Sequence, residues 1–138
     1  MIYEIQVQFT KIDKNGNDKV AKEKYIVENA ASFGDAEEIG YSYCEGETGL
    51  DVIAVKRSSI KEIINKRASD NDKIFTATIV DTCYLDGKDD PVENKYILAL
   101  YAVDINQAHS IVREYMKQGL NDMELVGLKC TKIVDVLR

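Results

Sequence analysis

The chain has 138 residues, of which 45% are hydrophobic and 30% are charged, and its formal net charge is −6. This length allows one ordinary domain or two very small ones, and this apolar content excludes a disordered protein. A pI of about 4.8 argues against a broadly basic nucleic-acid binder but allows a local basic patch. No apolar run approaches the roughly 20 residues that span a bilayer.

The N-terminal stretch MIYEIQVQFT has no basic segment before an apolar run, so it is not expected to act as a signal peptide. The three cysteines, Cys44, Cys83 and Cys130, have wide spacings and no CxxC pair. This pattern predicts reduced, mostly buried thiols in a cytoplasmic protein rather than disulfides or a zinc site.

The first predicted elements are two strands. In residues 3–10 apolar and polar side chains alternate, which is the period of a half-buried strand. Asn15 and Gly16 then predict a hairpin with a tight primed turn, whose central residues need positive φ. A second strand is predicted at residues 20–28.

A helix is predicted next, with Ser32 as its N-cap and Asp35 three residues later. Ala36, Ile39 and Tyr43 recur at helical spacing, which predicts one buried face. The following stretch, VIAVKRSSIKEII (residues 52–64), has two interpretations: a strand with a bulge at its Ser-Ser pair, or a strand followed by one helical turn.

The second half of the chain repeats the first. LVGLKCTKIVDVL (residues 125–137) aligns without gaps with residues 52–64, and further matches keep the same order at offsets of 71 to 73 residues. These matches are Asn15-Gly16 with Asp86-Gly87, Tyr25-Ile26-Val27 with Tyr96-Ile97-Leu98, Ser32-Asp35 with Asp104-Gln107, and Ala36, Ile39 and Tyr43 with Ala108, Ile111 and Tyr115. We interpret the chain as a tandem duplication, with repeats at residues 1–64 and 73–138 and a polar linker at residues 65–72.

The repeat predicts an α+β fold in which each unit is β-β-α-β(β). Its sheets should be mainly antiparallel, and each should be covered by one helix. The β-branched second copy favours a strand at residues 60–64. Because one repeat of about 65 residues is marginally stable alone, we expect the two to pack about a pseudo-twofold axis, in one domain.

A basic segment lies at the end of the first repeat. Residues 56–67 hold five basic residues against Glu62 alone, a local charge of +4 that leaves −10 for the rest of the chain. The five are Lys56, Arg57, Lys61, Lys66 and Arg67. Clustered Lys and Arg neutralise phosphates, so the segment is a candidate site for nucleic acid or another anion. The alternative is a solvated sheet edge, where charges prevent edge-to-edge aggregation.

Tyrosines that recur in both repeats are expected in the core or at an interface, whereas Tyr41, Tyr84 and Tyr101 are candidates for stacking on bases. His109, the single histidine, is expected on a helix surface. The stretch LDGKDDPVEN (residues 85–94) lacks the residue order of a calcium loop, so it predicts a hairpin turn. The sequence predicts no metal site and no cofactor.

Four stretches carry a resemblance: ENAASFGDAEEI, VIAVKRSSIKEII, KIFTATIVDTCYLDGK and the closing IVDVL. The most specific part is Ala54-Val55-Lys56-Arg57 followed by Ile63. With them the chain resembles a family of small proteins of unknown function from gut Bacteroidota and their crAss-like phages and mobile elements. The resemblance covers nearly the whole chain. It implies a phage or mobile-element origin and the cytoplasm of a bacterial host cell, and it implies no catalytic residue.

No acid/base pair, nucleophile or metal set converges in the sequence, which predicts a non-enzymatic protein. The leading hypothesis is single-stranded DNA binding by residues 56–67 and nearby tyrosines, in replication or maintenance of the DNA of a phage or mobile element. One alternative is an inhibitor or adaptor of a host protein, which the acidic remainder favours. Another is a protein that holds a small anionic ligand between the repeats. No membrane partner is expected, and unpaired strand edges are compatible with a homodimer.

Overall fold

The computed structural model describes residues 1–84, 90–119 and 122–138. Both halves of the chain follow the order strand, strand, helix, strand, strand. The first half contains β1 (Tyr3–Ile12), β2 (Asp18–Val27), α1 (Phe33–Tyr43), β3 (Thr48–Arg57) and β4 (Ile60–Ile63). The second contains β5 (Lys73–Cys83), β6 (Val92–Ala102), α2 (Ile105–Lys117), β7 (Asp122–Cys130) and β8 (Ile133–Leu137). The predicted α+β class, with mainly antiparallel sheets and one helix on each, is confirmed.

The halves exchange their last strands. Sheet 1 has the order β3-β1-β2-β8 and sheet 2 the order β4-β6-β5-β7. β8 pairs in parallel with β2, and β4 pairs in parallel with β6. The chain therefore divides into unit 1, residues 1–58 and 132–138, and unit 2, residues 59–131. These units differ from the repeats of the sequence by one exchanged strand each.

The Ser58-Ser59 step is where the chain passes from unit 1 to unit 2. The sequence was compatible with either a bulge or a helical turn at this step. The structure instead ends β3 at Arg57 and begins a separate strand at Ile60. Residues 60–63 are thus extended, as the repeat indicated, but they belong to the other sheet.

The β1–β2 hairpin forms where Asn15 and Gly16 predicted it, but the primed turn is wrong. Residues 13–17 form the loop, and Gly16 (φ +80°) is its one residue with positive φ. The Asp13 carbonyl accepts from the Gly16 N–H at 3.1 Å, and the Asp13 carboxylate accepts from the N–H groups of Asn15 and Asn17 at 2.9 Å each. An aspartate that binds its own loop removes the need for positive φ at Asn15. The corresponding turn at Asp86-Gly87 lies outside the described residues.

Both helices begin at the predicted caps. The Ser32 hydroxyl accepts from the Asp35 N–H at 3.1 Å, and the Asp35 carboxylate accepts from the Ala31 N–H at 2.9 Å. In α2 the Asp104 carboxylate accepts from the Gln107 N–H at 2.8 Å, and the Gln107 side chain reaches back to the Val103 N–H at 2.7 Å. Each pair satisfies one N–H group of the first helical turn and the N–H group of the residue before the N-cap.

Each helix packs on one face of its own sheet. In unit 1 the inward residues of β1 are buried under α1, and in unit 2 those of β5 and β6 are buried under α2. These core residues include Tyr3, Ile5, Val7, Phe9 and Ala36 in unit 1, and Phe75, Ala77, Ile79, Leu98 and Ala108 in unit 2. The predicted helix face is confirmed for Ala36 and Ala108, whereas Tyr43 at the end of α1 is 54% exposed.

Gly40 brings α1 close to sheet 1. A β-carbon at this position would lie 2.7 Å from Ile5 Cδ1, closer than packing permits, and 3.3 Å from Val52 Cγ2, a tight contact. Gly34, in the first turn of the same helix, faces open space, where the nearest atom to an added β-carbon is Ser32 Oγ at 3.9 Å.

Gly40→Leu is therefore expected to destabilise the protein by about 1–3 kcal/mol, the usual cost of overpacking a core. The matched variant Gly34→Leu should be neutral or stabilising by up to about 1 kcal/mol, because leucine has a higher helix propensity than glycine. Urea unfolding followed by circular dichroism measures both. Equal stability of the two variants would contradict the close approach of helix and sheet.

Candidate nucleic-acid interface

The strand exchange divides the basic segment between two units. Lys56 and Arg57 end β3 in sheet 1, whereas Lys61 lies on β4 in sheet 2. Lys66 and Arg67 follow in the connection that leads to β5. The five charges all lie within residues 56–67, but they do not form one strand or one sheet edge.

In unit 2, two of the basic side chains contact aromatic rings. Lys61 Nζ lies 4.1 Å from the centre of the Tyr96 ring. The Arg67 guanidinium lies 5.0 Å from the centre of the Tyr101 ring and donates to the Asp72 carbonyl at 2.9 Å. Cations over aromatic faces gain about 0.5–1 kcal/mol at exposed sites. Lys61 and Arg67 thus stabilise unit 2 whatever else they bind, and Lys66 is exposed beside them.

In unit 1, Lys56 lies on the face of sheet 1 that α1 does not cover. Glu4 and Gln6 alternate with Tyr3 and Ile5, which face the helix, so Glu4 and Gln6 point to the opposite face. Across the sheet, Lys56 and Ala54 of β3 pair with them on one side. Lys24 and Lys22 of β2 pair with Gln6 and Gln8 on the other side. We call this surface the lysine face; it carries Lys22, Lys24 and Lys56 together with Glu4, Gln6, Gln8 and Ala54.

A groove of about 180 Å³ lies on the lysine face, lined by Glu4, Ile5, Gln6, Lys24, Ala54 and Lys56. Lys56 Nζ forms an ion pair with Glu4 Oε2 at 3.6 Å, yet the Lys56 side chain remains 74% exposed. Lys22 and Lys24 are also exposed. Two ammonium groups therefore flank a groove of mixed polar and apolar lining that has room for an anionic group, and the Glu4 carboxylate competes for that position.

Arg57 does not share this surface. It pairs with Tyr3, whose side chain faces α1, so Arg57 lies on the helix side of β3 while Lys56 lies on the other. Lys22 and Lys24 were not singled out from the sequence, because Glu23 between them cancels part of their charge in a linear count. Their alternation within a strand would have placed both on one face.

The three tyrosines proposed for stacking have different surroundings. The Tyr41 hydroxyl donates to Asp51 Oδ1 at 3.0 Å and accepts from the Val52 N–H at 3.2 Å, which ties α1 to β3. Tyr101 is 4% exposed, so its ring offers no free face to a base. Tyr84, which follows β5, is 69% exposed and presents an open ring.

The recurring tyrosines form contacts within each unit. The Tyr25 hydroxyl donates to the Glu23 carboxylate, and its ring meets Tyr43 edge-on with centres 5.3 Å apart. In unit 2 the Tyr115 hydroxyl donates to Glu62 Oε2 at 3.2 Å. Burial is the largest cause that raises the pKa of the Tyr25 and Tyr115 hydroxyls, and the neighbouring carboxylates raise it further. Both hydroxyls therefore stay protonated and act as donors near neutral pH.

The thiol of Cys44 is held in its unreactive form. Burial raises its pKa, the charges of Glu23 and Glu47 raise it further, and a hydrogen bond with Tyr25 opposes this shift. His109 is exposed on α2, as expected. In residues 1–84, 90–119 and 122–138, no group of three or more His, Cys, Asp and Glu could hold a metal ion. Within the same ranges no helix is long and apolar enough to cross a membrane.

The chain was compared with known proteins, and one protein family matches it. No curated protein and no solved structure matches the chain. The matched family covers every residue of the sequence, and its description confirms the coarse part of the resemblance, membership in a family of unknown function. Residues 1–138 match the family described as Domain of unknown function (DUF4494), and the chain belongs to that family.

Proposed function

We propose that the protein is a non-enzymatic accessory protein that binds single-stranded DNA through the lysine face, during replication or maintenance of the DNA of a phage or mobile element in the host cytoplasm. The observation that carries this proposal is the pair Lys24 and Lys56, which lie on opposite sides of the groove with exposed ammonium groups. Lys22 extends the same surface along β2.

The spacing of the lysines suits a flexible polyanion. Lys24 and Lys56 stand on strands that flank β1, and Lys56 is two residues beyond the position opposite Lys24, so two interstrand steps of about 4.8 Å and an offset of about 7 Å separate their backbones by roughly 12 Å. Lys22 and Lys24 are two residues apart on one strand, or about 7 Å. A single strand can adjust its backbone to bring successive phosphates to these positions, whereas a stiff duplex cannot enter a groove of 180 Å³.

The mode of binding follows from the side chains present. The lysine face supplies charges and the amides of Gln6 and Gln8, but no aromatic ring. Contacts to phosphates dominate in that case, which gives little preference for sequence and a strong dependence on salt. Glu4 opposes binding, because it neutralises Lys56 in the free protein. Lys61, Lys66 and Arg67 of unit 2 remain further candidates for the same ligand.

The test is fluorescence anisotropy of a labelled oligothymidine of about 20 nucleotides, at low and at physiological salt. Three lysine contacts predict a slope of about −2 in log affinity against log salt, since each phosphate on a single strand contributes about −0.7. Lys24→Glu and Lys56→Glu should each weaken binding about tenfold, and Glu4→Gln should strengthen it, because the competing carboxylate is gone.

The matched control is Lys117→Glu, the same charge reversal at an exposed lysine on α2. The proposal is overturned if this variant weakens binding as much as Lys24→Glu, or if no binding occurs at low salt. Titration with inorganic phosphate and with thymidine monophosphate tests the alternative that the protein holds a small anionic ligand. Such a protein would bind these small anions as tightly as the oligonucleotide.

A further inference from the structure

A second charged surface of opposite sign lies on the helix side of unit 1. Residues 25–55 contain seven acidic residues and no lysine or arginine, although the net charge of the entire chain is only −6. The seven are Glu28, Asp35, Glu37, Glu38, Glu45, Glu47 and Asp51. The segment includes α1 and the turns on both sides of it, so the negative charge is concentrated around one helix.

A groove of about 560 Å³ runs between α1 and β8 in this region. Ile39, Tyr43 and Leu137 give it an apolar wall, and Asp35 and Glu38 line it on the helix. The basic residue beside it, Arg138, is already neutralised, because its Nε lies 2.8 Å from Glu28 Oε2. The groove therefore combines an apolar floor with uncompensated negative charge.

Unit 2 offers an internal comparison. At the corresponding seam between α2 and β4, Tyr115 packs against the core and donates to Glu62 of β4. Its helix carries Arg113 and Lys117 in the last turns, whereas the last turn of α1 carries no basic residue. In unit 1 the matching Tyr43 is 54% exposed. The tyrosine of α2 thus bonds to the exchanged strand β4, whereas Tyr43 of α1 contacts Tyr25 of β2 and lines the groove beside β8.

We propose that the groove between α1 and β8 is a docking site for a basic, extended segment of another protein. An aliphatic side chain of that segment would enter between Ile39 and Leu137, and its lysines or arginines would pair with Asp35 and Glu38. Charge complementarity selects this occupant, because an acidic or nucleic-acid ligand would meet the like charges of Asp35 and Glu38 in the groove. The site is separate from the lysine face and does not depend on DNA binding.

The experiment is selection of a random peptide library of about 12 residues, displayed on phage, against the full chain. Enriched peptides should carry net positive charge and at least one aliphatic residue, and their affinity should fall as salt rises. Glu38→Lys should lower the affinity for a selected synthetic peptide about tenfold, because it reverses a charge in the site. Ser42→Trp, an exposed position that lines the groove, should block it sterically.

The matched control is Glu114→Lys, the same reversal on the exposed surface of α2, which should leave binding unchanged. Lys24→Glu should also leave it unchanged, which distinguishes this site from the lysine face. The inference is overturned if no peptide is enriched, if enriched peptides are not basic, or if Glu38→Lys and Ser42→Trp bind a selected peptide as tightly as the unaltered chain.

Discussion

Each sheet of this protein is completed by a short parallel strand that comes from the other half of the chain. Leu137 of β8 is buried in the core of unit 1, and Ile64, just after β4, packs against the core of unit 2. β8 also provides hydrogen-bond partners for β2, which would otherwise be an unprotected sheet edge. Neither half of the chain contains all the strands of its own sheet.

The length of the connections prevents β4 from taking the parallel position beside β2 in its own sheet. β3 lies at one end of sheet 1, and the position taken by β8 lies at the other end, three interstrand steps or roughly 14 Å away. Moreover, a parallel strand in the same sheet requires the chain to return to its starting end, which takes a crossover of about a dozen residues or more. Two residues, Ser58 and Ser59, join β3 to β4. β4 therefore cannot take the position of β8 in sheet 1, and it continues forward into the other sheet.

The sequence predicts well whatever is local. Alternation identified β1, the cap residues identified both helices, and the repeat indicated that residues 60–63 are extended. The partner of that strand was not predictable from pattern, because the sequences of β4 (IKEI) and β8 (IVDVL) indicate a strand but not the sheet that it joins. The hairpin turn was wrong for a local reason, since Asp13 binds its own loop. The domain boundaries and the homodimer remain predictions.

The candidate site was predicted less completely, because charges were counted along the chain. In a pleated strand, successive side chains point to opposite faces, so neighbouring charges lie on different surfaces. Lys56 and Arg57 are neighbours in sequence but lie on opposite faces of β3. Lys22 and Lys24, separated by Glu23, lie on the same face. The result is a unit with lysines on one side of its sheet and carboxylates around the helix on the other. A polyanion and a basic peptide would thus bind separate surfaces.

The most direct test of the exchange is a nuclear Overhauser spectrum of the isotope-labelled chain. The exchange predicts cross-strand contacts between Lys24 and Ile133 and between Ile26 and Val136, the pairs that join β2 to β8 in register. Contacts of residues 133–137 with β6 instead would show that each half keeps its own last strand. That result would contradict the exchange and would also remove the division of the basic segment between two units, whereas the lysine face, which β1, β2 and β3 form, would remain.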